Sequence, residues 1–167
     1  MTDHALPELW RTLARYNRWM NGQLYGAAAT LTDSERKRDL GAFFHSLHGT
    51  LNHLLLTDRV WLGRLGGEPF PVTGLDQELY GDFDELWRER QRTDGDIEAL
   101  VAGFGALDLD RVVRYRRISG GEAKAPPLTV VMTHLFNHQT HHRGQATVLL
   151  GQLGRDYGVT DLIALPD

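Results

Sequence analysis

Histidines are concentrated in two short stretches of this chain, and imidazole is a side chain that proteins often use to bind transition metals. Seven of the eight histidines lie there: His45, His48 and His53 in the first stretch, and His134, His138, His141 and His142 in the second. Two histidines four positions apart on a helix can reach the same ion. A third ligand from a neighbouring helix would complete an open site, so the pattern favours metal binding.

The chain contains no cysteine, which restricts the chemistry of such a site. Thiolate ligands, disulfides and a protein thiol nucleophile are excluded, so a metal would be bound by nitrogen and oxygen atoms alone. Sulfur chemistry would need a small-molecule thiol that binds at a vacant metal position and is activated there.

Apolar residues recur every three or four positions in four segments, which predicts four amphipathic helices at 7–31, 47–65, 83–104 and 128–153. A strand-like run at 112–118, a turn with two glycines and a second short run at 122–125 predict a small β-hairpin before the last helix. We therefore expect an all-α four-helix bundle with this hairpin, formed by a single domain over residues 1–167.

The helical wheel ranks the histidines of the fourth helix, because each residue turns it by ~100°. His142 lies inside the predicted apolar stripe and His138 on its border, whereas His134 and His141 lie toward the polar side. A histidine in such a stripe is costly unless its ring nitrogens have partners. We select His138 and His142 as the metal-binding pair. The alternative is that they are ordinary interior histidines, hydrogen-bonded to backbone or carboxylate groups.

The second helix leaves the third ligand open, since His48 and His53 lie on opposite borders of its stripe. Asp58 lies in the apolar row of that helix, where a carboxylate needs a cationic or imidazole partner. It could orient a metal-bound histidine by accepting its second ring N–H. Pairing with Arg59 or Arg143 is the alternative that we favour.

The charge balance argues against two classes of partner. With 18 basic and 22 acidic residues, a net charge of -4 and no block of like charge, the chain has neither a nucleic-acid-binding nor a membrane-binding pattern. The basic cluster at 111–117 is interpreted as the solvated side of a strand. No segment approaches the ~18 apolar residues of a membrane span, and the first residues lack a signal-peptide pattern, so we expect a cytoplasmic protein.

Three segments in this order resemble the DinB-like family, a superfamily that also includes YfiT-type metalloenzymes and thiol-dependent S-transferases. They are Tyr16-Asn-Arg-Trp-Met-Asn21, then Gly49-Thr-Leu-Asn-His53 followed by Asp58 and Trp61, and then His134-Leu-Phe-Asn-His138-Gln-Thr-His-His142-Arg-Gly-Gln145. The tail at 157–163 is similar as well.

The resemblance implies a four-helix bundle with a long crossover connection and a metal held by one histidine of the second helix and two of the fourth. Carried over by position, these are His53, His138 and His142. It also implies a homodimer.

The leading hypothesis is a divalent-metal-dependent enzyme acting on a small molecule, either a low-molecular-weight-thiol S-transferase or a hydrolase. Zinc or nickel would suit three imidazole ligands. Asp58, Asp161 and Gln145 are candidate catalytic side chains near the metal, and for each of them a structural role is the alternative that we favour. The alternative is a non-catalytic stress- or damage-response protein in which the ion stabilises the bundle. DNA binding, which only the family name suggests, is disfavoured by the acidic charge.

Overall fold

Five helices, four of them long, form the fold in a computed structural model that describes residues 5–167. They are α1 (Ala5–Ala29), α2 (Asp33–Lys37), α3 (Leu47–Gly66), α4 (Phe83–Ala102) and α5 (Leu128–Gln152). One short 3-10 helix, Ala106–Asp108, lies between α4 and α5, and another, Leu162–Ala164, lies after α5. The four long helices begin and end within two residues of the predicted bounds.

Local side-chain chemistry explains where the long helices begin and end. Ser46 and Asp82 cap α3 and α4 by accepting a hydrogen bond from the backbone N–H three residues later. Gly67 ends α3 in the left-handed conformation (φ 87°), which a residue without Cβ adopts at no steric cost. Pro127 directly precedes α5, where the chain needs no backbone donor.

The long helices pack in the spatial order α1, α4, α3, α5, and α5 returns against α1. The segment at 67–82 therefore joins neighbouring helices, whereas the segment at 103–127 crosses from α4 to the diagonal helix α5. The segment at 30–46 likewise joins α1 to its diagonal helix α3, so two connections cross the bundle. The expected all-α bundle is confirmed.

A buried polar layer crosses the bundle at mid-height. One apolar cluster lies on each side of it, around Trp10, Trp61 and Phe136 at one end and around Leu24, Leu51 and Leu149 at the other. All four long helices contribute to the layer through Asn17, Asn21, Asp58, Arg90, Asp94, Gln139 and Arg143, each 3% exposed or less.

Arg90 is the centre of this polar layer. Its guanidinium lies 2.6 Å from Oδ2 of Asp58 and 2.8 Å from Oδ1 of Asp94. Asp94 accepts further hydrogen bonds from the amides of Asn17 and Asn21 at 3.0 and 2.8 Å. Because a buried ion pair that loses one partner leaves an uncompensated charge, the layer fixes the relative positions of α1, α3 and α4.

The predicted β-hairpin is wrong: residues 5–167 contain no strand. Two isolated antiparallel bridges remain, Val112 with Pro127 and Tyr115 with Lys124, and they share one register. Between them, Val113 N–H donates to the carbonyl of Pro126 at 3.0 Å. The reciprocal bond requires an N–H that Pro126 lacks, so the ladder is interrupted at this residue.

Among residues 5–167, no helix combines the length and the hydrophobicity that a transmembrane span requires.

Candidate metal centre

Three histidine rings from two helices converge at one side of the bundle. His53 of α3 and His138 and His142 of α5 each offer a ring nitrogen, and these atoms all lie within 4.8 Å of one another. The ring centroids are 5.3 Å apart for His53 and His138, 4.5 Å for His53 and His142, and 4.3 Å for His138 and His142. A cluster of this kind could hold a metal ion.

His53 is oriented from outside its own helix. Its Nδ1 donates to the backbone carbonyl of Leu75 at 2.8 Å, which leaves Nε2 as the nitrogen with a free lone pair. Nε2 is buried and has no hydrogen-bond partner among the described residues. The Phe44 ring stacks on the imidazole of His53 with the ring centroids 3.9 Å apart.

Burial keeps the imidazoles of the cluster neutral. Desolvation is the largest effect on His53 and lowers its pKa to about 4, against a smaller upward effect of the Leu75 hydrogen bond. Desolvation, followed by the neighbouring histidines, lowers the pKa of His138 to about 3. The pKa of His142 is also lowered, again mainly by desolvation. Neutral imidazole is the form that binds a metal.

Gln145 supports His142 in the way that Leu75 supports His53. The Gln145 amide oxygen accepts a hydrogen bond from His142 Nδ1 at 2.7 Å, so Nε2 carries the free lone pair. The partner of the second ring nitrogen fixes the tautomer and orientation of a metal-binding histidine. Two of the three rings are thus held with one nitrogen available.

The position of His142 on α5 differs from the wheel prediction. His138 and His142 are half-buried at the side of the helix, whereas Gln139 and Arg143 occupy its most buried row. The wheel misplaced the stripe because it assumed that buried positions are apolar, and here the polar layer fills them. The choice of His138 and His142 agrees with the cluster all the same.

Of the two α3 histidines that the sequence left open, only His53 belongs to the cluster. His48 lies outside the cluster, buried, with Nε2 2.9 Å from the carbonyl of Tyr80. Of the second stretch, His134 and His141 are also outside the three-residue group. His53 is therefore the α3 histidine that meets the α5 pair, although metal binding by the three residues stays a prediction.

A cavity of about 850 Å³ opens beside the cluster. All three histidines line it, together with Gln145, His141, Phe44 and the acidic side chains of Asp76 and Glu78. The volume lies within the range of small-molecule sites, roughly 300–1,000 Å³. A ligand in this cavity would touch the histidine cluster directly.

Asp58 lies away from the cavity, in the polar layer. Its carboxylate accepts hydrogen bonds from Arg90 at 2.6 Å and from Gln139 at 2.9 Å, so the favoured pairing with Arg59 or Arg143 is wrong. Arg59 pairs instead with Glu89 and Asp96. No local pattern pointed to Arg90, because its place opposite Asp58 depends on how α3 and α4 pack.

The two other candidate catalytic side chains have different positions. Gln145 lines the cavity and holds His142. Asp161 is exposed and precedes the 3-10 helix near the end of the chain, outside the cavity lining. Arg143 is buried and donates to the side chains of Asn17 and Thr140, so it does not face the cavity.

Sequence reasoning missed the site residues that come from connecting segments. Leu75, Asp76 and Glu78 belong to the irregular segment between α3 and α4, and Phe44 to the one before α3. The only local signal is Gly49, where an added Cβ would lie 2.3 Å from the carbonyl oxygen of Phe44. This glycine lets the segment carrying Phe44 pack closely on α3.

Comparisons with known proteins agree with this architecture. A model of the DinB family matches residues 1–167. The chain is 24% identical to Protein DinB of Bacillus subtilis (strain 168), with 89% of this chain and 88% of that protein covered. The crystal structure of a DinB-like protein from Bacillus cereus ATCC 10987 has the same fold with a TM-score of 0.65 at 22% identity, covering 92% of this chain and 94% of the other.

Proposed function

This chain is a member of the DinB family, and from that premise and the histidine cluster we propose that it is a divalent-metal-dependent enzyme acting on a small molecule. His53, His138 and His142 would be the metal ligands. The reaction would be transfer of a low-molecular-weight thiol to an electrophile, or hydrolysis.

The observation that carries this proposal is the unpaired Nε2 of His53. A buried ring nitrogen without a partner costs free energy, and proteins seldom retain one without a compensating interaction. The ring that carries this atom is one of three imidazoles that each bring a nitrogen within 4.8 Å of the others. A metal ion would supply the missing partner, which is why the donor set fits such an ion.

Three neutral nitrogens without a thiolate or carboxylate in the group suit zinc or nickel. A divalent ion at such a site supplies Lewis-acid chemistry, lowering the pKa of a nucleophile that coordinates to it. The protein would keep the imidazoles neutral through burial and fix two of them through Leu75 and Gln145. The cavity beside the cluster would position the small-molecule substrate.

The rival hypothesis is a non-catalytic protein in which the ion clamps the bundle. Two features favour the enzyme. The polar layer already links all four long helices through hydrogen bonds that need no metal. The cluster also faces a cavity large enough for a substrate, whereas structural metal sites are usually closed by protein ligands.

Metal content of single variants tests the ligand assignment. We expect the purified protein to contain close to one equivalent of zinc or nickel, and His53→Ala, His138→Ala and His142→Ala each to lose most of it. His134→Ala and His141→Ala are matched controls from the same helix and should retain the metal. Full occupancy in all three cluster variants, measured by mass spectrometry of the metal, would refute the proposal.

An activity assay distinguishes the enzyme hypothesis from the hypothesis that the ion only stabilises the bundle. The metal-loaded protein is incubated with a panel of low-molecular-weight thiols and a chromogenic aryl halide, and separately with ester and amide substrates. In the thiol reaction the S–C bond forms, halide leaves and the thiol proton passes to solvent. The enzyme hypothesis predicts turnover that His142→Ala abolishes. A metal that raises the melting temperature without turnover on any panel would favour the clamp.

The homodimer implied by the resemblance also remains a proposal. Light scattering of the purified protein measures it directly.

A further inference from the structure

A second, smaller cavity lies against the histidine cluster. Its volume is about 250 Å³, and it shares His53, His138 and Leu75 with the large cavity. It is lined by different charged groups, Arg64 and Arg117. The same two histidines therefore face two cavities, of which only the smaller one contains guanidinium groups.

Arg64 is held in place by aromatic side chains. Its guanidinium carbon lies 4.5 Å from the ring centroid of Trp61 and 4.3 Å from that of Tyr115. One terminal nitrogen donates to the carbonyl of Arg116 at 3.2 Å. A guanidinium has five N–H donors in a rigid fork, so most of them remain free for another acceptor.

These arginines have no carboxylate partner in the part of the chain that the structure describes. Every salt bridge between residues 5 and 167 involves other cations. Ser119 adds a hydroxyl to the same lining. A partly buried, oriented guanidinium with unused donors favours binding of an anion.

The charges of the two cavities differ in sign. Asp76 and Glu78 line the large cavity and would repel an anionic group, whereas the arginines of the small cavity would attract one. The small volume is below that of typical sites for whole molecules, so it suits a group of a few atoms.

We propose that the small cavity binds the anionic group, a carboxylate or a phosphate, of the molecule that reacts at the histidine cluster. Arg64 is the principal recognition residue, and Arg117 and Ser119 complete the subsite. The neutral, reactive part of the same molecule then lies at His53 and His138. This inference rests on the proposed function for the identity of the reacting molecule, but anion binding itself does not require the metal.

Fluorine NMR of protein labelled with 5-fluorotryptophan tests the subsite. The chain has four tryptophans, and Trp61, which lines the small cavity, is assigned by the loss of its signal in Trp61→Phe. Acetate and inorganic phosphate are titrated as probes at constant ionic strength. We expect a saturable shift of the Trp61 signal and little change in the other three.

Variants assign the shift to the arginines. Arg64→Gln and Arg117→Gln should weaken anion binding at least tenfold, whereas Arg114→Gln, from the same segment but outside the lining, should change it less than twofold. Arg117 is exposed, so its variant is not expected to disturb folding. The tighter of the two probes identifies the group as carboxylate or phosphate.

Failure of this inference can be distinguished from failure of the proposed function. His142 does not line the small cavity, so His142→Ala should lose the metal and retain the anion-induced shift. Absence of a saturable shift with both probes, or equal binding by wild type, Arg64→Gln and Arg117→Gln, would overturn the subsite. Retained metal in His142→Ala would instead count against the metal assignment.

Discussion

Mild acid should weaken metal binding to this histidine cluster far less than it weakens binding to solvent-exposed histidines. A proton competes with the metal for each imidazole lone pair. Burial lowers the pKa of His53 to about 4 and that of His138 to about 3. Both rings therefore stay neutral as the pH falls from 7.0 to 5.5, and protonation begins to compete at these two residues only at lower pH.

The expected difference is large enough to measure. For a histidine with the ordinary pKa of about 6.5, the neutral fraction falls roughly eightfold between pH 7.0 and 5.5. A site with three such ligands would therefore lose about 600-fold in metal affinity. In this cluster His53 and His138 contribute almost nothing to the loss. His142, whose pKa is also lowered, contributes less than about eightfold.

Competition with a chromogenic chelator at both pH values measures the ratio, with circular dichroism to verify folding. Phe44→Ala removes the ring stacked on His53 and admits water, so the pKa of His53 should rise and the pH dependence should steepen. Phe43→Ala is the matched control, because this neighbouring ring is 81% exposed. A wild-type loss of 100-fold or more, or equal slopes for the two variants, would refute the reasoning.

Three further predictions concern the groups that support the site. Arg90→Met leaves two buried carboxylates without their cation and should lower the free energy of unfolding by about 3–5 kcal/mol in urea denaturation. Arg18→Met, from the more exposed ion pair with Glu98, should cost about 0–1 kcal/mol. Equal losses would contradict the account of the polar layer. Gly49→Ala should cost about 1–3 kcal/mol because its Cβ would meet backbone, while Gly144→Ala, with open space around it, should stabilise by about 0.5–1 kcal/mol. Gln145→Ala should weaken metal affinity by about 10- to 100-fold in the chelator assay, and an unchanged affinity would show that its hydrogen bond is dispensable.

Helix positions were predictable because they depend on local signals. Each long helix follows a three- and four-residue apolar spacing, and Ser46 and Gly67 mark the ends of α3 through their own chemistry. The hairpin prediction failed for a reason that is also visible in the sequence. Pro126 lacks the N–H that would continue the ladder of hydrogen bonds. The strand-like composition of residues 112–118 did not compensate for this missing donor.

The polar layer was less predictable than the helices. Asp58 was correctly expected to need a partner, but Arg90 lies 32 positions away and its proximity follows only from the packing of α3 against α4. Gln139 and Arg143 were likewise hidden, because a wheel built on hydrophobicity treats charged and amide side chains as exposed. Their burial depends on partners on two other helices, Asp58 of α3 and Asn17 of α1.

By itself the sequence determined the helices, the absence of thiol ligands, and a pair of histidines one turn apart on α5, since spacing and composition are local properties. Only the tertiary structure decided that His53 rather than His48 meets that pair, because two helices must pack in one register before their side chains converge. It also decided that Leu75, Phe44 and Arg64 surround the cluster. Arg64 comes from the last turns of α3, and Leu75 and Phe44 come from two irregular segments. The approach of these segments to the site is fixed by long-range packing and has no periodic signal.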